Sequence, residues 1–266
     1  MVSRMDPHEI HERLVAAGIP GLVDVELPPA TYARINGMLN SVLVSPVPGW
    51  IMKLFAAQDG LTAGYYHCRN IERIELDVDA IARRAHGTTP SDMPETNTSF
   101  AARTLTYEYQ AFLFALRRSF DYLGGGLCQG FGCPPPTSFK DVPKMLRQAD
   151  VEDRAAADAI SAKVTPIRKA FPDVFGDQKG LSLRDQVAHR LSVPGGQFTL
   201  WFRAGYPVAV ELNGGGENLP LTGNHTEAPR RLCAILLDRL VRLEDVFMEL
   251  ASQVPAIAAA RTRLSG

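Results

Sequence analysis

Several things are missing from this chain, and each absence removes a class of protein. No uninterrupted apolar run approaches the roughly 20 residues a membrane-spanning helix needs, and Met-Val-Ser-Arg-Met-Asp-Pro-His-Glu at the start has no apolar signal core. A cytoplasmic protein with no membrane partner is expected. Neither sign of charge dominates: 28 Lys and Arg stand against 29 Asp and Glu, a formal net charge of −1. That balance excludes a protein that coats nucleic acid by bulk electrostatics, so any contact with a polyanion must come from a local basic cleft. Cysteine is sparse. Cys68, Cys128, Cys133 and Cys233 form neither a C-x-x-C pair nor the dense spacing of a disulfide framework, which leaves reduced, buried thiols. A phosphate loop is also absent, because Gly124-Gly125-Gly126 lacks the G-K-[ST] ending and does not follow a strand.

What remains is ordinary globular composition, with 45% hydrophobic and 21% charged residues over 266 positions, enough for a sizeable core and one cooperative unit. Positive charge is carried mainly by arginine, with doublets at Arg83-Arg84, Arg117-Arg118 and Arg230-Arg231. Guanidinium groups suit bidentate contact with phosphate or carboxylate, while solvated helix faces account for the same doublets without a ligand. His8 and His11 share a helix face but have no third ligand, and His67 has no visible partner, so neither metal nor cofactor is expected.

Apolar spacing predicts helices through most of the chain. A short one runs from Asp6-Pro7 to about Ala17, and a second carries Tyr32, Ile35, Met38, Leu39, Val42 and Leu43. The segment from Trp50 to Phe55 is too short to classify. Beyond Gly60, Leu61, Tyr65, Cys68, Ile71, Ile74, Val78, Ile81 and Ala85 trace a long amphipathic helix ending near Gly87. Residues 88 to 99 are polar and proline-punctuated and read as a loop, which divides an N-terminal helical extension, 1–99, from a second region, 100–266.

Tyr109, Phe112, Leu116, Phe120 and Leu123 mark a core helix that Gly124-Gly125-Gly126 and the later Gly130-Phe-Gly-Cys-Pro-Pro-Pro136 interrupt or end. Ser138 to about Ala149 and Val151 to Val164 form two more helices, the second broken near Thr165-Pro166. Ile167 to Phe175 has no clear pattern. Leu181 to Arg190 reads as one or two helical turns beyond a Ser182 cap. Past Gly196 the period changes to two, predicting a β-hairpin at about 197–212, and from about Glu227 a last helix carries Leu232, Leu236, Leu240, Leu243, Phe247 and Leu250.

Phe112-Leu-Phe-Ala-Leu-Arg-Arg-Ser-Phe-Asp-Tyr-Leu123, the helix pair after it, Arg184-Asp-Gln-Val-Ala-His189 and the long final helix together resemble the HEPN superfamily of helical bundles, over roughly residues 100 to 255. The family is similar in carrying an R-x4-6-H motif near the start of a late helix. Arg4 and His11 also fit that spacing, but Arg184 and His189 have the position and the polar residue, Asp185, that the family places after its arginine.

The resemblance implies a mainly α, HEPN-like bundle with an N-terminal helical extension and one small β-hairpin insert. It also implies metal-independent endoribonuclease action, in which the RNA 2′-hydroxyl attacks the adjacent phosphate. His189 would move the proton, Arg184 would stabilise charge on the phosphate oxygens and Asp185 would orient either of these two residues. Arg117, Arg118 and Arg190 would bind substrate, and the site would form between the two protomers of a homodimer. Two other readings use the same residues: binding of RNA or a nucleotide without cleavage, and a dimeric scaffold braced by the Arg184–His189 pair. Neither an RNA target nor an antitoxin partner is written in these residues.

Overall fold

The computed structural model describes residues 37, 47–86, 96–97, 99–148, 151, 153–175, 198–201, 209–212 and 232–264. The two helices expected before residue 47 lie outside the described residues, apart from Gly37. What is described is mainly helical.

Helix α1 is a single rod, Gly49–His86, and it absorbs the unclassified segment from Trp50 to Phe55. It passes straight through Gly60 because glycine serves a packing purpose there. A Cβ at that position would come within 2.8 Å of the backbone N and Cα of Ser119, so α1 can lie this close to its neighbour only without a side chain. That neighbour is α2, Ser99–Gly130, which packs along α1.

The glycine run does not end α2 either. Gly124 faces Val142 Cγ2 and Gly126 faces Leu54 and the Trp50 carbonyl, so both admit neighbouring elements to the helix surface. The stop comes later, at Gly132, whose φ of 79° lies in the left-handed region. The Cys133 N–H donates to the Cys128 carbonyl and the Gly132 N–H to the Gln129 carbonyl, a Schellman arrangement that satisfies the end of the helix before three prolines forbid its continuation.

A 3-10 turn, Phe139–Asp141, leads into α3, Val142–Gln148. Helix α4, Arg154–Ala170, starts where the Asp153 side chain accepts the Ala156 N–H at 2.9 Å. It continues through Pro166, where the sequence predicts a break. One missing N–H near the end of a 17-residue helix is outweighed by burial of Ile160, Val164 and Ile167 on its inner face. A single turn, α5 (Pro172–Phe175), follows.

Strands β1 (Thr96–Asn97), β2 (Phe198–Trp201) and β3 (Ala209–Leu212) form an antiparallel sheet with β2 in the centre. Thr96 pairs with Leu200, while Phe198 pairs with Leu212 and Trp201 with Ala209. The polar stretch predicted as a loop therefore contributes an edge strand. Its backbone groups find partners at Leu200 and Thr199, far along the chain, which local composition does not encode. The chain ends in α6 (Leu232–Ala251) and α7 (Val254–Leu264), a helix not anticipated from the sequence.

One hydrophobic core joins these elements. Leu61, Tyr65, Cys68 and Ile71 of α1, Tyr109, Phe112, Leu116, Phe120 and Leu123 of α2, and Leu232, Leu236, Leu240, Leu243, Phe247 and Leu250 of α6 are all buried, as their spacing predicts. Ile81, expected on the same stripe, is exposed. Phe120 is the hub of an aromatic cluster, meeting Phe139, Phe175 and Phe247 edge to face at centroid distances of 5.2, 5.3 and 6.4 Å. No helix among the described residues is long and apolar enough to cross a membrane.

Candidate functional site

One face of α2 carries Phe114, Arg117, Arg118, Asp121, Tyr122 and Gly125, spaced at three, four and seven residues so that they fall on one stripe. The early part of α1 and the loop Pro135-Pro136-Thr137 wall this stripe in. Together they enclose an open cavity of about 430 Å³.

Arg117 is buried and held from two sides: its Nε donates to Asp121 Oδ2 at 3.1 Å, and its guanidinium lies 5.5 Å from the centre of the Phe175 ring. Asp121 has both oxygens engaged, because Oδ1 accepts the Phe139 N–H at 2.7 Å. The carboxylate thus anchors the 3-10 turn to α2 and fixes Arg117 at the same time. Arg118 is exposed, with its guanidinium 5.4 Å from the Tyr122 ring centre. Lys53 reaches in from α1, its Nζ 5.1 Å from the same ring. Its stem crosses α2 at Gly125, where a Cβ would lie 3.5 Å from Lys53 Cδ.

Among the described residues, neither Lys53 nor Arg118 has a carboxylate partner. The Tyr122 ring orders both cations through its quadrupole without cancelling their charge, as a carboxylate would. Such an arrangement attracts an anion.

Of the six residues expected to act from the sequence, Arg117 and Arg118 therefore line one cavity. Arg184, Asp185, His189 and Arg190 lie outside the described residues. Lys53, Tyr122 and Thr137 were not anticipated. Lys53 falls in the segment without a readable period, and only the crossing of α1 over Gly125 brings it to α2. Tyr122 was within reach of sequence reasoning, since it stands four residues after Arg118 and so on the same helix face.

Two other polar groupings bear on chemistry. His67 Nδ1 lies 2.8 Å from Glu108 Oε2, which also accepts from Asn70 Nδ2 at 3.2 Å, so the histidine that looked partnerless is held across the α1–α2 contact. Deeper in, Arg239 of α6 pairs with the buried Asp173 of α5. The hydroxyl of fully buried Tyr109 has no hydrogen-bond partner among the described residues. Burial pushes the Tyr109 phenol well above its usual range, Asp173 adds to the rise and Arg239 opposes it.

The four cysteines are free and buried. Desolvation raises Cys68 to about 12, helped by Glu72 and Glu75, and raises Cys128 to about 12 as well. Thiols held in this way are not nucleophiles at neutral pH. Among the described residues no three His, Cys, Asp or Glu side chains converge as a metal site would require. Comparison with protein-family models, curated proteins and solved structures finds no match to the chain.

Proposed function

We propose that this protein binds the phosphate of RNA or of a nucleotide, with the Arg117–Arg118 cavity as the docking site. One observation carries the reading. Two arginines expected from the sequence to contact phosphate line the same cavity as Lys53, and among the described residues the two more accessible cations, Lys53 and Arg118, lie against an aromatic ring and form no ion pair with a carboxylate. Arginine supplies fork-shaped donors suited to phosphate oxygens, and lysine adds a mobile point charge. The balanced overall charge requires such a local site.

The HEPN-like resemblance supports a second, catalytic layer. In that reading the chain is a HEPN-like bundle with a β-hairpin insert at about 197–212, it acts as a homodimer, and it cleaves RNA by 2′-hydroxyl attack. His189 transfers the proton, Arg184 stabilises charge on the phosphate oxygens, Asp185 orients either of these two, and Arg190 assists substrate binding. The observation favouring it is the Arg184-Asp-Gln-Val-Ala-His189 motif between core helices.

Fluorescence anisotropy with labelled single-stranded RNA separates the two layers. Binding is expected to weaken steeply as salt rises and to weaken about tenfold in Arg118→Ala, the loss of one charge-assisted contact. Cleavage in EDTA that disappears in His189→Ala, with binding unchanged, would support the catalytic layer; intact RNA would leave binding alone. Absence of binding to RNA and nucleotide at low salt would sink the whole proposal.

A further inference from the structure

The charge and size of the cavity narrow the ligand further. Lys53, Arg117 and Arg118 bring three positive charges and Asp121 one negative, which sums to +2. Asp121 is already committed to the Arg117 Nε and the Phe139 N–H, so it does not face the ligand as a free repelling charge. A double positive charge in an open cavity is best matched by a double negative one. An internal phosphodiester carries a single charge, whereas a phosphomonoester carries about −1.5 to −2 at neutral pH, with its second ionisation near about 6. The volume of about 430 Å³ falls within the range of roughly 300–1,000 Å³ that suits one small molecule or a single terminal phosphate group with its sugar.

We propose that the cavity is a receptor for a phosphomonoester dianion, the terminal phosphate of a nucleotide or of an RNA end, in preference to an internal phosphodiester. This rests on the phosphate-binding reading above. Arg118 and Lys53 contact the phosphate oxygens from the two helices. Arg117 supplies fixed positive charge from beneath, where Asp121 and Phe175 prevent it from swinging out. Tyr122 acts as a positioning residue: it holds the two mobile cations together against their mutual repulsion while the site is empty. The exposed Thr137 hydroxyl at the rim supplies a neutral donor.

The test uses the full chain and four probes: a nucleoside, its 5′-monophosphate, and one short single-stranded RNA carrying either a 5′-phosphate or a 5′-hydroxyl. The monophosphate is expected to bind at least about tenfold more tightly than the nucleoside, and the phosphorylated RNA to exceed its hydroxyl counterpart by a similar factor. Comparable affinity for monophosphate and phosphorylated RNA makes a free nucleotide sufficient as ligand; a clear advantage for the RNA makes the RNA end the ligand. Either result supports the proposal. Affinity for the phosphomonoester should also rise between pH 5.5 and 7.5 as the dianion forms.

Arg118→Gln and Lys53→Gln should each lose most of the preference for the phosphorylated probe, with melting behaviour near that of the parent protein because neither side chain is buried. Tyr122→Leu should weaken monophosphate binding several-fold, and Tyr122→Phe, which keeps the ring face, should restore it; equal weakening in both would overturn the positioning role. Equal binding of the two RNA forms would overturn the phosphomonoester proposal and leave the RNA-binding reading standing. Failure of all four probes to bind would remove both.

Discussion

Glu75 shows how much a single residue settles in this molecule. It stands in the last third of α1, fully buried, and its carboxylate accepts the Leu232 N–H at 2.6 Å and the Cys233 N–H at 2.9 Å. Those amides open α6, so a side chain from another helix does the work of an N-cap and meets the positive end of the helix dipole. Nothing near Glu75 in the sequence announces this, because its partner lies 157 positions away. Tyr65 makes a second polar link from α1 to α6, donating its hydroxyl at 2.5 Å to the Glu244 carboxylate inside the core. The buried cysteines, by contrast, were readable from spacing alone, and they carry a consequence for pH. Folding lifts the Cys68 and Cys128 thiols from their ordinary value of 9.0 to about 12, so the folded chain holds those protons more tightly than the unfolded one. The resulting stabilisation is complete below pH 9 and is lost as pH rises from about 9 toward about 12. Urea midpoints measured from pH 8 to 10.5 should therefore fall with rising pH, and Cys128→Ala should make that fall shallower than in the parent protein. An unchanged slope would show that this thiol does not remain protonated in the fold.

At the level of whole helices, glycine and proline inside α1, α2 and α4 do not act as the breakers their intrinsic preferences suggest. The sequence traces a helix only beyond Gly60 and predicts interruptions at Gly124 to Gly126 and near Pro166, and the helices continue through all of them. A glycine inside a helix costs about 1 kcal/mol relative to alanine, a sum that close packing of a second helix recovers. Whether such a residue breaks a helix or admits a neighbour depends on what lies opposite, which the local sequence does not record. Two substitutions expose the difference. Gly60→Ala improves helix propensity but places a Cβ 2.8 Å from the Ser119 backbone, so we expect a net destabilisation of about 1–3 kcal/mol. Pro166 is exposed and packs little, and Pro166→Ala restores a backbone donor inside α4. That change should stabilise by about 1–2 kcal/mol, after the looser unfolded chain is counted, and raise the melting temperature by a few degrees. Calorimetry on both variants checks the pair, and opposite signs are the expected outcome. Gly132 is the glycine whose terminating role the structure bears out, and its positive φ gives the reason.

The molecule as a whole has its core where three long helices meet. Gly64 of α1 lies against both Leu116 of α2 and Leu240 of α6, at 3.0 and 3.4 Å from the position a Cβ would take. Residues from both sides of the polar stretch at 88–99 enter one hydrophobic cluster. A chain beginning at residue 100 would lack Ile51, Leu54, Leu61 and Ile71, all essentially inaccessible to solvent, and would expose the apolar faces they cover on α2 and α6. We expect that fragment to bind an apolar dye and to melt without a sharp transition in circular dichroism, whereas the full chain melts cooperatively; a sharp transition in the fragment would mean that α1 is dispensable to the core.

The amino-acid order by itself determined that helices dominate, which faces of α1, α2 and α6 turn inward, and that the thiols are free, because periodicity and composition act over a few turns of chain. It also pointed to Arg117 and Arg118 through residue type. Only the tertiary structure decided that a glycine is a contact point, that Thr96–Asn97 is a strand, that Glu75 caps a distant helix and that Lys53 and Tyr122 join the arginines. Each of these depends on groups far apart in sequence being held within a few ångströms by packing of the whole chain, and no local pattern carries that information.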